Sequence, residues 1–355
     1  MKGRVAIIGP CVKMGGIERA SAVIANEMDA QGYEVLYLAI FRHTRFFTLN
    51  PTIEYDEPLD GTNINKLAML KTIFRIRKKI KAFNPDTILA YHKFYASLVL
   101  IALAGTHRKI YISERSSPFF KWPIKVAFVN HLALVLNRPT GIVAQTAIAA
   151  TYQRKIYGKK IPIRVIPNAL RQVILYPEIR RKKWILAVGR LGDPLKGFDR
   201  LIKAFSKIHA YDWRLVFAGG DQDGEELKIL ARELGVLERI SFLGKVIDLD
   251  RIYAEAGIFV IPSRSEGFPN ALCEALAAGL PCVAFDFIAG ARDIITPDYN
   301  GLVVKDDDIQ ALAEAIQSLM RDDEKRQFIA NNGLAIRERL DRSRIGEELC
   351  EFIFS

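Results

Sequence analysis

Two hydrophobic periods alternate along the chain. Short, nearly continuous apolar runs read as buried strands: RVAIIG (4–9), YEVLYLAI (33–40), DTILAY (86–91), KIYISE (109–114), GIVAQ (141–145) and IRVIPN (163–168). Between the first two, GGIERASAVIANEMDAQG (15–32) repeats apolar residues at Ile17, Ala20, Val23, Ile24 and Met28, which is a helical spacing. TAIAATYQRKIY (146–157) is a further helix. After RQVILYPEIRRKK the pattern restarts with strands WILAVGR, RLVFAGG, ISFLG, GIFVIP and PCVAFD. They are separated by helices FDRLIKAFSKI, EELKILARELGV, LDRIYAEA and NALCEALAAG. Two successive βα arrays with buried parallel strands predict an α/β protein of two Rossmann-like, doubly wound domains. Residues 1–170 form the first and 171–335 the second, with a hinge over 168–183. A C-terminal helix over 336–355 is free to return to the first domain.

Composition narrows this picture. A chain of 355 residues that is 50% apolar has enough material for two cores. Cys11, Cys273, Cys282 and Cys350 show no CxxC spacing, so they predict reduced, buried thiols of a cytosolic protein and neither a zinc knuckle nor a disulfide framework. The start, MKGRVAIIGP, fits a first strand better than a signal peptide. Charge is divided unevenly. Residues 1–170 hold 25 Lys+Arg against 10 Asp+Glu (25 − 10 = +15), and 171–355 hold 26 against 30 (26 − 30 = −4), giving the total of +11. A basic half joined to a mildly acidic one assigns a polyanion or anionic lipid surface to the first domain and another ligand to the second, with ordinary solubility charge as the alternative.

Candidate chemistry falls beyond the carboxyl ends of strands, where open α/β domains bind ligands. GPCVKMGGIER follows the first strand, and its Gly15 and Gly16 allow an anionic or sugar group close to backbone N–H donors. It lacks the GxGxxG spacing of a dinucleotide fold. In VGRLGDPLKG, Arg190 and Lys196 lie six residues apart beside Gly197 and can converge on a phosphate-rich ligand, while the AGG ending of the next strand offers another close approach. In SEGFPNALCEALAAGLP, Glu266 sits on a loop, Asn270 is the expected helix N-cap and Glu274 lies in an otherwise apolar helix, where a carboxylate needs a partner.

The combination GGxER, GR…KG, AGG and E-x7-E within EGFPNALCEALAAGLP resembles the family four retaining glycosyltransferases across essentially the whole chain, most strongly over 184–304. That resemblance implies the GT-B fold, two Rossmann-like domains facing across a cleft. A nucleotide-sugar donor is then held mainly by the second domain and an acceptor mainly by the first. Carried over by motif, Arg190 and Lys196 bind the donor diphosphate and neutralise the departing charge, and Glu274 binds the ribose. Glu266 and the backbone of Gly267, Phe268 and Pro269 handle the donor sugar. Gly16 contributes backbone near the phosphate and the segment around Val246 borders the base. Arg190, Lys196 and Glu266 are thus the catalytic candidates. No cofactor or metal is expected: Asp221-Gln222-Asp223 has the D-x-D spelling, but the family members that this chain resembles do not use that loop to hold a catalytic metal.

One departure affects the acceptor side. Many family members carry a histidine after a strand in the middle of the first domain, whereas the matching region here reads YISERSSP. Glu114 or Arg115, as in the SER form that some lipid-linked glycan transferases resemble, or His92 from the adjacent strand, is the candidate for that place. INKLAMLKTIFRIRKKIKAFNP interleaves Leu67, Leu70, Ile73, Phe74, Ile76 and Ile80 with Lys66, Lys71, Arg75, Arg77, Lys78, Lys79 and Lys81. FFKWPIKVAFVNHLALVL adds Lys121 and Lys125 to an aromatic and apolar segment. Core packing accounts for either alone; with the +15 domain they predict an interfacial enzyme. The expected partners are a UDP-sugar, a polyprenyl-diphosphate-linked glycan and an anionic membrane surface, with the protein cytoplasmic and peripheral at the inner face of the plasma membrane. A soluble acceptor and a non-catalytic nucleotide-sugar binder are the alternatives. A nucleic-acid binder would leave E-x7-E unexplained, and no nucleic acid is expected.

Overall fold

A computed structural model describes residues 2–13, 15–59, 66–115, 117, 122–210, 212–220, 224–288 and 290–355. Lys121, the Asp221-Gln222-Asp223 stretch and the side chains of Lys66 and Leu67 lie outside the described residues. The chain divides into two compact units, Met1–Ala169 with Leu340–Ser355, and Leu170–Arg339.

The first unit is built on β1 (Arg4–Gly9), α1 (Gly16–Ala30), β2 (Glu34–Ala39), β3 (Glu54–Asp56), α2 (Lys66–Phe83), β4 (Thr87–Tyr91), α3 (Lys93–Ala102), β5 (Lys109–Ser113), α4 (Ile124–Leu136), β6 (Gly141–Ala144), α5 (Ala147–Tyr157) and β7 (Ile163–Val165). All seven strands are parallel, in the order β3-β2-β1-β4-β5-β6-β7. The central strands are buried on both faces, which is why their sequences are continuous apolar runs. One apolar layer gathers Val5, Ile7, Tyr37, Leu89 and Tyr91; the other gathers Ala6, Ile8, Leu36, Ile88 and Ile112. Alternate residues of the same strands therefore feed opposite faces.

The second unit contains β8 (Trp184–Val188), α6 (Phe198–Ser206), β9 (Arg214–Ala218), α7 (Glu225–Glu233), β10 (Ile240–Phe242), α8 (Leu249–Glu255), β11 (Ile258–Ile261), α9 (Asn270–Ala277), β12 (Cys282–Phe285), α10 (Ala291–Ile294), β13 (Leu302–Val304), α11 (Ile309–Arg321), α12 (Asp323–Gly333) and α13 (Ile336–Arg339). Its six parallel strands run β10-β9-β8-β11-β12-β13. In both sheets the strand order reverses beside the first strand of the array, between β1 and β4 and between β8 and β11. These are the points where open α/β sheets leave a crevice beyond the strand ends.

The expected single terminal helix is two. Asp341 breaks it, its carboxylate accepting from the N–H groups of Ser343 and Arg344 to start α14 (Arg342–Phe354). Helix α13 stays with the second unit, and α14 docks on the first through Ile345, Leu349, Cys350 and Ile353. Each fully buried Leu or Ile there contributes about 1.5–3 kcal/mol. All four cysteines are free and buried.

Candidate functional site

In the second unit, the loop after β8 and the loop after β11 meet at the reversal point. Arg190 follows β8 and donates to Asp193 (2.6 Å). Asp193 also caps the short 3-10 turn Pro194–Lys196, accepting from the Leu195 N–H. That turn presents Lys196, whose ammonium donates to both carboxylate oxygens of Glu266 at 2.9 and 3.1 Å. The Ser263 hydroxyl adds a third bond to Glu266 (2.7 Å). Arg190 remains largely exposed, whereas Lys196 and Glu266 are shielded.

Glycine makes this junction possible. Gly197 adopts φ +65°, and a Cβ there would lie 2.1 Å from the Pro262 carbonyl oxygen, so the turn closes directly on the end of β11. A Cβ on Gly219 would meet the Gly189 carbonyl at 3.0 Å, and one on Gly220 would meet Leu191 N at 3.1 Å. The close approach there is to the chain's own Arg190 loop. Arg264, which sequence reading passed over, ties the two loops together: it is bidentate to Asp199 (2.7 and 2.7 Å) and donates to the Pro194 carbonyl. The Arg264 bond holds the Asp199 carboxyl below its usual range. Its position two residues before Glu266 was the available signal.

Glu274, on α9, is 2% exposed. Its carboxylate accepts from Arg171 (3.2 Å) and from the Tyr253 hydroxyl (3.3 Å), and Arg171 also binds Asp250. Burial pulls the Arg171 guanidinium down, but its bond to Asp250 and the charge of Glu274 outweigh this and hold it above its ordinary value. The partner this carboxylate required thus includes side chains more than twenty residues away, which no local pattern announced. Asn270 is not the N-cap: Pro269 takes that place and Asn270 is the first helical residue, proline's restricted φ suiting the entry. Phe268 and Pro269 are buried, Gly267 is half-buried on the same loop, and Val246 is half-buried after β10.

In the first unit, Gly16 opens α1 as an exposed residue. At Gly15, backbone extended, a Cβ would lie 2.2 Å from a carboxylate oxygen of Glu18. The close approach expected of a ligand at Gly15 is therefore made by the protein's own Glu18. His92 lies just past β4, with φ +69° at the start of α3, and its ring packs against Tyr95 (5.0 Å) and Trp122 (5.1 Å). Burial lowers its pKa and the Glu114 charge partly opposes this. Arg115, expected at a cleft, is 8% exposed; it bonds to Asn168 and lies over the Tyr91 ring, held there because the end of β5 turns it into the unit. Burial lowers its pKa.

The α2 cations also divide. Arg75 and Lys79 bind Asp56, Arg75 reaches the Ala39 carbonyl, and Arg77 reaches that of Ala102, so Arg75 is committed to the fold. Lys71 and Lys78 are exposed. Ile76 and Ile80 are core, not surface.

Residues 14–171 match the model described as Glycosyltransferase Family 4, and residues 176–335 match Glycosyl transferases group 1. A phosphatidyl-myo-inositol mannosyltransferase of Mycobacterium leprae is 32% identical over 358 residues, covering 94% of this chain and 91% of that protein. The chain belongs to the GT-B glycosyltransferases.

An N-acetyl-D-galactosaminyltransferase of Campylobacter jejuni, whose name gives an undecaprenol-diphosphate-linked saccharide as acceptor, is 24% identical over 99% of this glycosyltransferase and 98% of its own length. The fold matches a crystal structure of an Anabaena protein in complex with UDP and glucose, with a TM-score of 0.81, 20% identity and coverage of 99% and 100%. Among the described residues no helix of the glycosyltransferase is long and apolar enough to cross a membrane.

Proposed function

We propose that this glycosyltransferase moves a hexose or N-acetylhexosamine from a UDP-sugar to a polyprenyl-diphosphate-linked saccharide, with retention, at the inner face of a bacterial plasma membrane. The observation that carries the reading is the junction of the β8 and β11 loops, where Lys196 and Arg190 stand beside Glu266. Departure of UDP develops negative charge on the diphosphate. Two cations held at the strand ends are placed to neutralise it. Lys196 would exchange Glu266 for phosphate oxygens, freeing the carboxylate to accept hydrogen bonds from donor-sugar hydroxyls. Glu274 would hold the ribose diol, with Arg171 holding its carboxylate in place. Gly267, Phe268 and Pro269 would line the sugar, Val246 the base, and Gly16 would offer its N–H near the phosphate.

The names of the M. leprae and C. jejuni relatives support a lipid-borne acceptor, and the UDP in the Anabaena complex supports the nucleotide. Glu114, His92, Lys71 and Lys78 are the acceptor-side groups of this reading. A panel of UDP-, GDP- and ADP-sugars with a polyprenyl-diphosphate saccharide, followed by NMR of the anomeric coupling, tests it. An α-linked product from a UDP-α-sugar, formed equally well in EDTA, is the expected result. A β-linked product sinks retention, and transfer only from GDP- or ADP-sugars sinks the nucleotide assignment.

A further inference from the structure

Helix α4 is built inside out. The residues it buries are Asn130, bonded through its side-chain oxygen to the Ser97 hydroxyl of α3 (2.7 Å), and Ala133. Five of its large apolar side chains point to solvent, Ile124 being 88% exposed, Phe128 67% and Val135 70%, with Leu132 and Leu136 also exposed, while Leu134 packs on the core. Ile124, Phe128, Leu132 and Val135 are spaced four, four and three residues apart, so they share one face. A helix packed only for stability would turn these residues inward; here a small residue and an amide take the fully buried places. The ridge is flanked by exposed Lys125 and Arg138. From Thr87 to Pro177 the sequence has a single carboxylate, the half-buried Glu114.

We propose that α4 is the element by which this protein inserts into an anionic lipid surface, its apolar ridge entering the headgroup region while the surrounding cations meet phosphate groups. The proposal rests on the reading that the acceptor is lipid-borne. It assigns contact to α4 rather than to α2, whose Ile76 and Ile80 are core and whose Arg75 and Lys79 are held by Asp56. A second copy of the chain is disfavoured as the occupant, because a twofold contact on this face would bring two carboxylate-poor, basic surfaces together. The start of α4 follows Trp122, which packs on His92 beyond β4. A lipid-borne diphosphate at the ridge would therefore lie beside the strand ends of the first unit.

Flotation of the full-length protein with phosphatidylcholine vesicles, with and without phosphatidylglycerol, tests this. The native protein is expected on the anionic vesicles, and the paired change Ile124→Ser with Phe128→Ser is expected to weaken binding by at least about tenfold. The pair should leave Tm unchanged, since both side chains are exposed. Should Tm fall, Phe128→Trp with bromine-labelled lipid gives a second readout: quenching beyond that of the native tryptophans supports insertion, and its absence overturns it. Vesicle binding unaffected by the pair overturns the proposal. So does a native dimer that the pair converts to monomer without any vesicle binding. Transfer to a water-soluble acceptor analogue reports separately on the enzymatic reading, and should survive in variants that no longer float.

Discussion

Lys196 and Glu266, 70 residues apart in sequence, form one unit in space: the ammonium bonds both carboxylate oxygens, and the Ser263 hydroxyl donates to Oε1 as well. Each group thus sets the other's position before any donor arrives.

Removal of the cation should cost transition-state stabilisation. Lys196→Ala is expected to lower kcat by roughly 10²-fold or more, in line with loss of one preset electrostatic contact. Because the two groups act together, Lys196→Ala combined with Glu266→Gln should lose much less than the product of the single losses. Single-turnover rates for the four proteins decide this, and strictly multiplicative losses would show that the pair is incidental.

Gly197→Ala is expected to destabilise the second unit by about 1–3 kcal/mol or more, from positive φ together with a clash against backbone that cannot rotate away. Gly235, also at positive φ, has no neighbour within 4 Å of its built Cβ. Gly235→Ala should therefore cost less. Chemical denaturation of both variants gives the comparison; equal losses would mean the Pro262 contact yields.

Arg171→Met leaves Asp250 and Glu274 buried near each other without their shared cation. The expected loss is about 3 kcal/mol, the usual cost of breaking a buried charge pair. Glu274→Gln keeps the shape and should fold, while weakening UDP affinity by about tenfold from loss of a charged hydrogen bond. Calorimetric titration with UDP measures the second effect, and unchanged affinity would remove Glu274 from the ribose.

His92 gives a pH signature. Its folded pKa lies below the ordinary 6.5 because burial disfavours the imidazolium. The unfolded chain therefore binds a proton that the folded one refuses. Its stabilising contribution is complete above pH 6.5 and is lost as pH falls toward the folded value. Tm should decline as pH falls below about 6.5, and His92→Asn, which tolerates positive φ, should flatten that decline. An identical slope in the variant would assign the titration elsewhere.

Periodicity by itself determined much of this protein. Continuous apolar strands alternating with amphipathic helices leave few options besides parallel sheets covered on both faces, and glycine and charge at the strand ends located the Arg190, Lys196 and Glu266 loops. Such signals are local, so one sequence carries them. What only tertiary structure decided is which groups meet. Arg171 reaches Glu274, Arg264 reaches Asp199, Glu18 closes on Gly15 and Arg115 turns into the interior, because those encounters depend on strand order and loop path rather than on spacing. The apolar residues of α4 made the same point in reverse. Composition alone cannot say which face of a hydrophobic helix is covered; here burial of Asn130 and Ala133 left Ile124, Phe128, Leu132, Val135 and Leu136 outside.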